Sequence, residues 1–353
     1  MAEGVNVVGE ATSAVPMIEP NLATDSAATR EWRIMGETVR GASHIRAGTR
    51  NQDATLQVRE SSISLPLVLS LSDGHGSDKC FRSDRGSHLA VTIGAELMRE
   101  IVNGLQKHPE SSAIESYVRD TFPAAFTLRW KKAVEEDLKR EPLTEEELGR
   151  LEAKDGTRAR RIVESQPLLA YGATTLTVGL AHTFVIYLQL GDGEIIIVSE
   201  AGKVSKPLPE DERLIANETT SLCTNTAAQD FRLACISLAD PPPALILMTT
   251  DGYANSFADD AGFRKVGSDI LEMLRTDGYD AVNRNVKGWL EEATRIGSGD
   301  DCTLGIICRL DALDARASTD PNTAELSPQQ SSLPTEPVDT VTGSQTVQTP
   351  EPK

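Results

Sequence analysis

Short apolar runs rich in Val, Ile and Leu recur through the middle of the chain, separated by longer stretches whose apolar residues return every three or four positions. The runs LPLVLSL (65–71), ATTLTVGL (173–180), TFVIYLQL (183–190), EIIIVS (194–199), ALILMTT (244–250) and CTLGIICRL (302–310) predict strands, bounded as they are by Gly, Pro and Asp. Helical spacing predicts a helix over 84–106, where Leu89, Ile93, Leu97, Ile101 and Leu105 mark one face and Ser83 or Asp84 caps the start. Further helices are expected over about 113–138, 266–275 and 280–294. The turn chemistry of TFVIYLQL-GDG-EIIIVS predicts a hairpin. Neighbouring strands joined by short turns, with helices grouped before and after them, indicate an α+β protein built on antiparallel sheets.

The pattern fades at both ends. Residues 1–32 are small, polar and aperiodic, and 313–353 are rich in Ser, Thr, Pro and Gln, so both are expected to be disordered tails around a single folded domain over 33–312. Within that domain, 131–166 is densely charged. Thr144 and Glu147 form a capping-box signal just after Pro142, which predicts a pair of exposed helices joined at the proline.

Charge narrows the function classes. With 35 Lys and Arg against 53 Asp and Glu, the net charge is −18. That argues against a nucleic-acid binder or a reader of anionic membranes, and favours cation binding instead. Five cysteines with no CxxC pair suit a reducing compartment better than a disulfide framework or a zinc site. We find no signal-peptide pattern and no run near the ~20 apolar residues of a membrane span, so a soluble, cytoplasmic protein is expected.

The aspartates at strand ends change the picture most. Asp73-Gly74, Asp192-Gly193 and Asp251-Gly252 each close an apolar run, Asp300-Asp301 precedes CTLGIICRL, and Asp53 precedes ATLQV. One Asp-Gly pair alone is a turn. Asp73 and Asp251, however, are followed by helix-like segments rather than by a returning strand. Mg²⁺ and Mn²⁺ take oxygen ligands and keep several waters, so a few carboxylates on rigid strand ends suffice to hold them. Other catalytic classes fail: there is no GxxxxGK[ST] loop, no cysteine–arginine phosphatase loop, no GxSxG elbow and no HExxH helix. His88 and His182 read as structural, whereas His75 follows an Asp-Gly pair in a glycine-flanked turn.

The stretches NQDA (51–54), SDGHGS (72–77), YGATTLTV (171–178), LGDGEI (190–195), TTDGYANSF (249–257) and GSGDDCTLGII (297–307) together resemble the type-2C (PPM) family of metal-dependent Ser/Thr protein phosphatases. The match is nearest a bacterial branch with GASHIRAGTRNQDA at the start, a charged helical insertion and an NETTSLC segment (217–223). The resemblance implies two packed antiparallel sheets flanked by helix pairs, with metals in a cleft at one end. It implies two Mn²⁺ or Mg²⁺ ions, bridged by Asp73, with the Gly74 carbonyl on one and Asp251 and Asp300 on the other. Asp53 would stand on the first ion's side, and Asp192 would serve a weaker third metal. His75 would protonate the leaving Ser or Thr oxygen after attack by a bridging water.

The family's phosphate-binding Arg falls on Gly48 here. Arg50 is therefore the first choice for that role, with Arg46, Arg82 and Arg85 as alternatives. Gln52, Asp301 and Ser77 also depart from the family pattern. The expected partner is a phosphorylated protein substrate, opposed to a Ser/Thr kinase that could also modify Ser327-Pro328 or Thr349-Pro350. The alternatives are a non-catalytic phosphatase-like regulator and a phosphatase of small phosphoesters.

Overall fold

The computed structural model describes residues 30–59, 65–105, 111–210, 220–238 and 241–314. Both expected tails, apart from their innermost residues, and part of the NETTSLC segment lie outside these residues. In chain order the first elements are β1 (Trp32–Val39), α1 (Ala42–Ala47), β2 (Ala54–Arg59), β3 (Leu67–Ser72), α2 (Ser83–Leu105), α3 (Ser111–Arg140) and α4 (Glu145–Ser165). There follow β4 (Thr175–Leu180), β5 (Phe184–Leu190), β6 (Glu194–Val198), β7 (Val204–Ser205), α5 (Ala227–Asp230) and β8 (Arg232–Ser237). The last are β9 (Leu245–Thr249), α6 (Asp251–Ala254), α7 (Asp260–Asp277), α8 (Tyr279–Ile296), β10 (Cys302–Arg309) and α9 (Asp311–Asp314). Among these residues no helix is long and apolar enough to cross a membrane.

The strands form two antiparallel sheets, ordered β1-β10-β9-β6-β7 and β2-β3-β4-β5-β8. Leu69, Leu71, Val178, Tyr187, Ile246, Met248 and Ile307 fill the space between them. Helices α2 and α3 cover the outer face of the second sheet, and α7 and α8 cover the first. The α+β architecture expected from the sequence is therefore present. Because central strands are covered on both faces, they read as unbroken apolar runs: β5 is buried along its whole length.

The expected hairpin is not formed. Strand β5 pairs with β4 and β8, whereas β6 pairs with β7 and β9 in the opposite sheet. The Gly191–Asp192–Gly193 link is a crossover between sheets. Asp-Gly chemistry permits a sharp reversal in either case, and only the partner strands decide which occurs. Gly191 has φ of +109°, and a Cβ there would stand 2.5 Å from Thr174 Cβ. Glycine is required at that corner.

The charged insertion also differs from expectation. Residues 131–140 continue α3 without a break, and α4 begins after Pro142 with the predicted capping box. It is not a freely exposed helix, since Leu148, Leu151, Ala159 and Val163 are buried. Arg82, only 2% exposed, ties it down. Its Nε and Nη2 donate to the two Glu147 oxygens at 2.8 Å each, and its remaining donors go to the Glu141 and Pro142 carbonyls and the Tyr171 hydroxyl. Burial alone would raise the Glu147 pKa, yet Arg82 and the Thr144 cap hold it down at about 2.

Arg82→Ala takes the guanidinium from a part-buried carboxylate and is expected to cost about 1–3 kcal/mol. Lysine, lacking the planar fork, should recover only part of this. Because the Glu147 pKa is depressed below 4.5, the clamp's contribution is present above that pH and is lost as pH falls toward about 2. Calorimetric melting of both variants checks the assignment, and an Arg82→Ala protein as stable as the parent would refute it.

Candidate metal centre

In an antiparallel sheet the end of one strand lies beside the start of its neighbour, so strand ends and strand starts gather on a single edge. Ala54 opposite Ser72 brings the start of β2 to the end of β3. Thr249 opposite Leu304, and Glu194 opposite Thr249, bring the starts of β10 and β6 to the end of β9. Asp53, Asp73, Asp192, Asp251 and Asp300 all flank these termini. The crossover makes the assembly possible, because it carries Asp192 from one sheet to the other.

Asp73, Asp192 and Asp251 each present a ligand oxygen within 4.8 Å of the others'. Among the described residues, no Lys or Arg side chain forms an ion pair with any of the three. Burial pushes the Asp73 carboxyl well above the usual carboxylate range, and the charges of Asp53, Asp251 and Asp192 push it further. Asp251 rises to about 6, by burial first and then by Asp192. Asn255 Nδ2 donates to Asp251 Oδ2 at 3.1 Å.

Asp53 is fully enclosed, and its Oδ2 accepts hydrogen bonds from the Thr250 and Thr303 hydroxyls at 2.7 and 2.6 Å. Burial raises its pKa to about 8 despite those two donors. Cations would relieve all of this, and the oxygen-rich donor set is the kind that hard divalent ions take. The residues present therefore fit such ions.

The chain around the site is held tightly. Gly74 N donates to the Gln52 carbonyl at 3.1 Å, and a Cβ on Gly74 would stand 2.6 Å from the Ser83 carbonyl oxygen. Gln52 spends its amide on Ser83 Oγ at 2.6 Å, so the neutral residue at this position braces the loop. His75 N donates to the Gly172 carbonyl at 3.0 Å. Burial lowers the His75 pKa, opposed by the charge of Asp192.

Asp300 stands apart from the trio. Its side chain is 53% exposed and faces His44, whose Nε2 lies 3.5 Å from Asp300 Oδ1, while Asp301 lies on the other side of the ring. Sequence reasoning assigned no role to His44, although GASHIR contributed to the family resemblance, and it missed Thr250 and Thr303 as supports of Asp53.

The four candidate arginines separate clearly. Arg82 is consumed by the insertion clamp, and Arg85 is held by Asp137 on α3 and by Glu141 just after it. Arg50 is 78% exposed and pairs with Asp84 at 3.1 Å, and Arg46 is exposed on α1. Arg232 was not foreseen. It donates to the Gly191 carbonyl at 3.2 Å and lines a cavity beside Asp192.

A family model described as protein phosphatase 2C matches residues 40–291. Among solved structures, the catalytic domain of the serine/threonine phosphatase PstP, in complex with two manganese ions, is 16% identical, with a TM-score of 0.48 over 80% of this chain and 99% of that one. PppA from Pseudomonas aeruginosa is 17% identical, with a TM-score of 0.45 over 79% of this chain and 97% of its own. Stp1 from Staphylococcus aureus is 14% identical, with a TM-score of 0.46 over 78% and 94%. No curated protein matches the chain significantly.

Crowded carboxylates have a stability consequence. In metal-free protein Asp53 and Asp251 titrate near 8 and 6 instead of 3.8, so between those values the folded state holds protons that the unfolded chain has lost. Stability contributed by these groups therefore falls as pH rises from about 4 to about 8. Asp73→Asn removes part of the repulsion and is expected to raise the melting temperature of EDTA-treated protein at pH 8, by about 2–4 °C per kcal/mol relieved. The same variant should lose the stabilisation that Mn²⁺ gives the parent. A lower metal-free melting temperature for Asp73→Asn would contradict the repulsion.

Proposed function

The chain belongs to the protein phosphatase 2C family of serine/threonine phosphatases, and we propose that it uses two divalent cations, Mn²⁺ or Mg²⁺, to hydrolyse phosphoserine and phosphothreonine on proteins. The convergence of Asp73, Asp192 and Asp251 from three strand ends carries this reading. Asp73, whose carboxyl feels the charges of Asp53, Asp251 and Asp192, would hold both ions. Asp251 and Asp192 would share them, with Asp53, Asp300 and the Gly74 carbonyl completing the ligands. Bound there, the cations supply neutralising charge for the phosphoryl oxygens and an activated water as nucleophile.

The protein's own groups do the rest. Thr250 and Thr303 fix the Asp53 carboxylate through its Oδ2. His75 would give its proton to the departing serine or threonine oxygen, a transfer for which its acidified imidazole is suited. Of the arginines, Arg50 and Arg46 have guanidinium groups that can turn to a phosphate. We retain Arg50 as first choice because it shares a short loop with Asp53. A phosphoprotein substrate opposed to a Ser/Thr kinase follows from the same reading.

Phosphate release from a phosphothreonine peptide should require Mn²⁺ or Mg²⁺, stop with EDTA and be abolished by Asp251→Ala. Absence of release at saturating Mn²⁺ would refute the proposal. His75→Gln is expected to lower kcat on the peptide by about 10²–10⁴. On nitrophenyl phosphate, whose leaving group needs no proton, the loss should be much smaller. Equal losses on both substrates would exclude His75 as the acid.

A further inference from the structure

His44 belongs to a second convergence of donor atoms. Its ring, Asp300 and Asp301 offer ligand atoms within 4.8 Å of one another. The two carboxylates are unlike. Asp301 is buried, its Oδ1 accepts from the Gly41 N–H at 2.6 Å, and its Oδ2 accepts from the Gln52 N–H at 2.6 Å. Both oxygens are therefore engaged by backbone. Asp300 is half-exposed, and it lies near enough to Asp251 for its charge to help raise that carboxyl's pKa.

The histidine between them is 17% exposed at its side chain. Its Nδ1 sits 2.9 Å from Asp301 Oδ1 yet is buried without an aligned hydrogen bond, and its Nε2 points toward Asp300 Oδ1 at 3.5 Å. An imidazole set against a buried carboxylate on one side, with its other nitrogen beside an open carboxylate, is how proteins orient a metal-binding histidine. Donors bound cis to one ion at about 2.1 Å stand about 3 Å apart, close to the separation of Nε2 and Asp300 Oδ1.

Backbone packing holds the arrangement. A Cβ on Gly41, one residue before α1, would stand 2.5 Å from the Asp300 carbonyl carbon. Ser43 N and Oγ both donate to the Gly299 carbonyl, at 2.8 and 2.6 Å. Helix α1 is thereby sewn to the loop before β10, and His44 is presented to that loop.

We propose that His44 Nε2 is a metal ligand, sharing with Asp300 one of the divalent cations at the strand ends, and that Asp301 orients the ring. The inference rests on the reading that such cations bind here. It gives the centre one nitrogen donor among oxygens, which shifts its preference from Mg²⁺ toward Mn²⁺, Fe²⁺ or Zn²⁺.

Pulsed EPR on the full chain saturated with Mn²⁺ tests it through the coupling of the electron spin to a directly bound imidazole nitrogen. Wild-type protein should show that coupling, His44→Gln should lose it and His75→Gln should keep it. By calorimetric titration, His44→Gln should weaken one class of Mn²⁺ site at least about tenfold. Mg²⁺ affinity should change much less. Mn²⁺ bound without nitrogen coupling in wild-type protein, or coupling that survives His44→Gln, overturns the inference and leaves the two-cation reading intact. If no Mn²⁺ binds at all, the two-cation reading fails as well. The wild-type spectrum decides the matter even if His44→Gln does not fold.

Discussion

Repulsion among crowded carboxylates organises one end of this molecule. Asp73, Asp192 and Asp251, with Asp53 close enough to Asp73 to act on its charge, are pressed together by strands whose positions are fixed elsewhere, in the apolar layer between two sheets. Hydrophobic burial along the sandwich holds the strand ends where they are, and the aspartates cannot move apart without shifting whole strands. The local response is confined to what protons, threonine hydroxyls and bound cations can neutralise. A site that is unfavourable when empty is strongly favourable to a divalent ion, because binding removes a penalty the fold already carries.

The supports around the site answer the same constraint. Gln52 braces Ser83, Asp301 takes two backbone donors, and Thr250 and Thr303 share Asp53. Each secures a loop by a hydrogen bond to a residue remote in sequence. Arg82 does the same on a larger scale: it lies in the stretch that follows Asp73 and fastens the α3–α4 junction to Tyr171. The charged insertion is thus continuous, through one guanidinium, with the loop that bears His75.

Much of this was legible in the residues. Strands β3, β4, β5, β6, β9 and β10 appeared as apolar runs because helices cover the sheets from outside, leaving no polar face to interrupt them. Strands β1 and β8 lie at sheet edges and mix polar with apolar positions, so they gave no comparable signal. The strand-end aspartates were visible because an acidic residue after a buried run has no packing purpose. Which sheet each strand joined was not visible, and the hairpin expected at Asp192 failed for that reason. Arg82 looked like surface charge in a charged neighbourhood, since nothing local shows that a guanidinium will be enclosed. His44 lay in a six-residue helix without apolar rhythm, and its partners lie at the far end of the chain.

The crossover at Gly191–Asp192–Gly193 has a further consequence. A Cβ at Gly193 would stand 2.7 Å from the Thr249 carbonyl oxygen, and one at Gly191 would meet Thr174, so the link is wedged between both sheets. Surface loops of this protein can lengthen or shorten at little cost, because their ends are anchored independently. This three-residue step cannot. Adding or deleting one residue would slide the register of β6 against β9 and turn its inward side chains outward. Among relatives of this chain, insertions should therefore accumulate in the charged helical region and stay out of a link whose length measures the gap between two sheets.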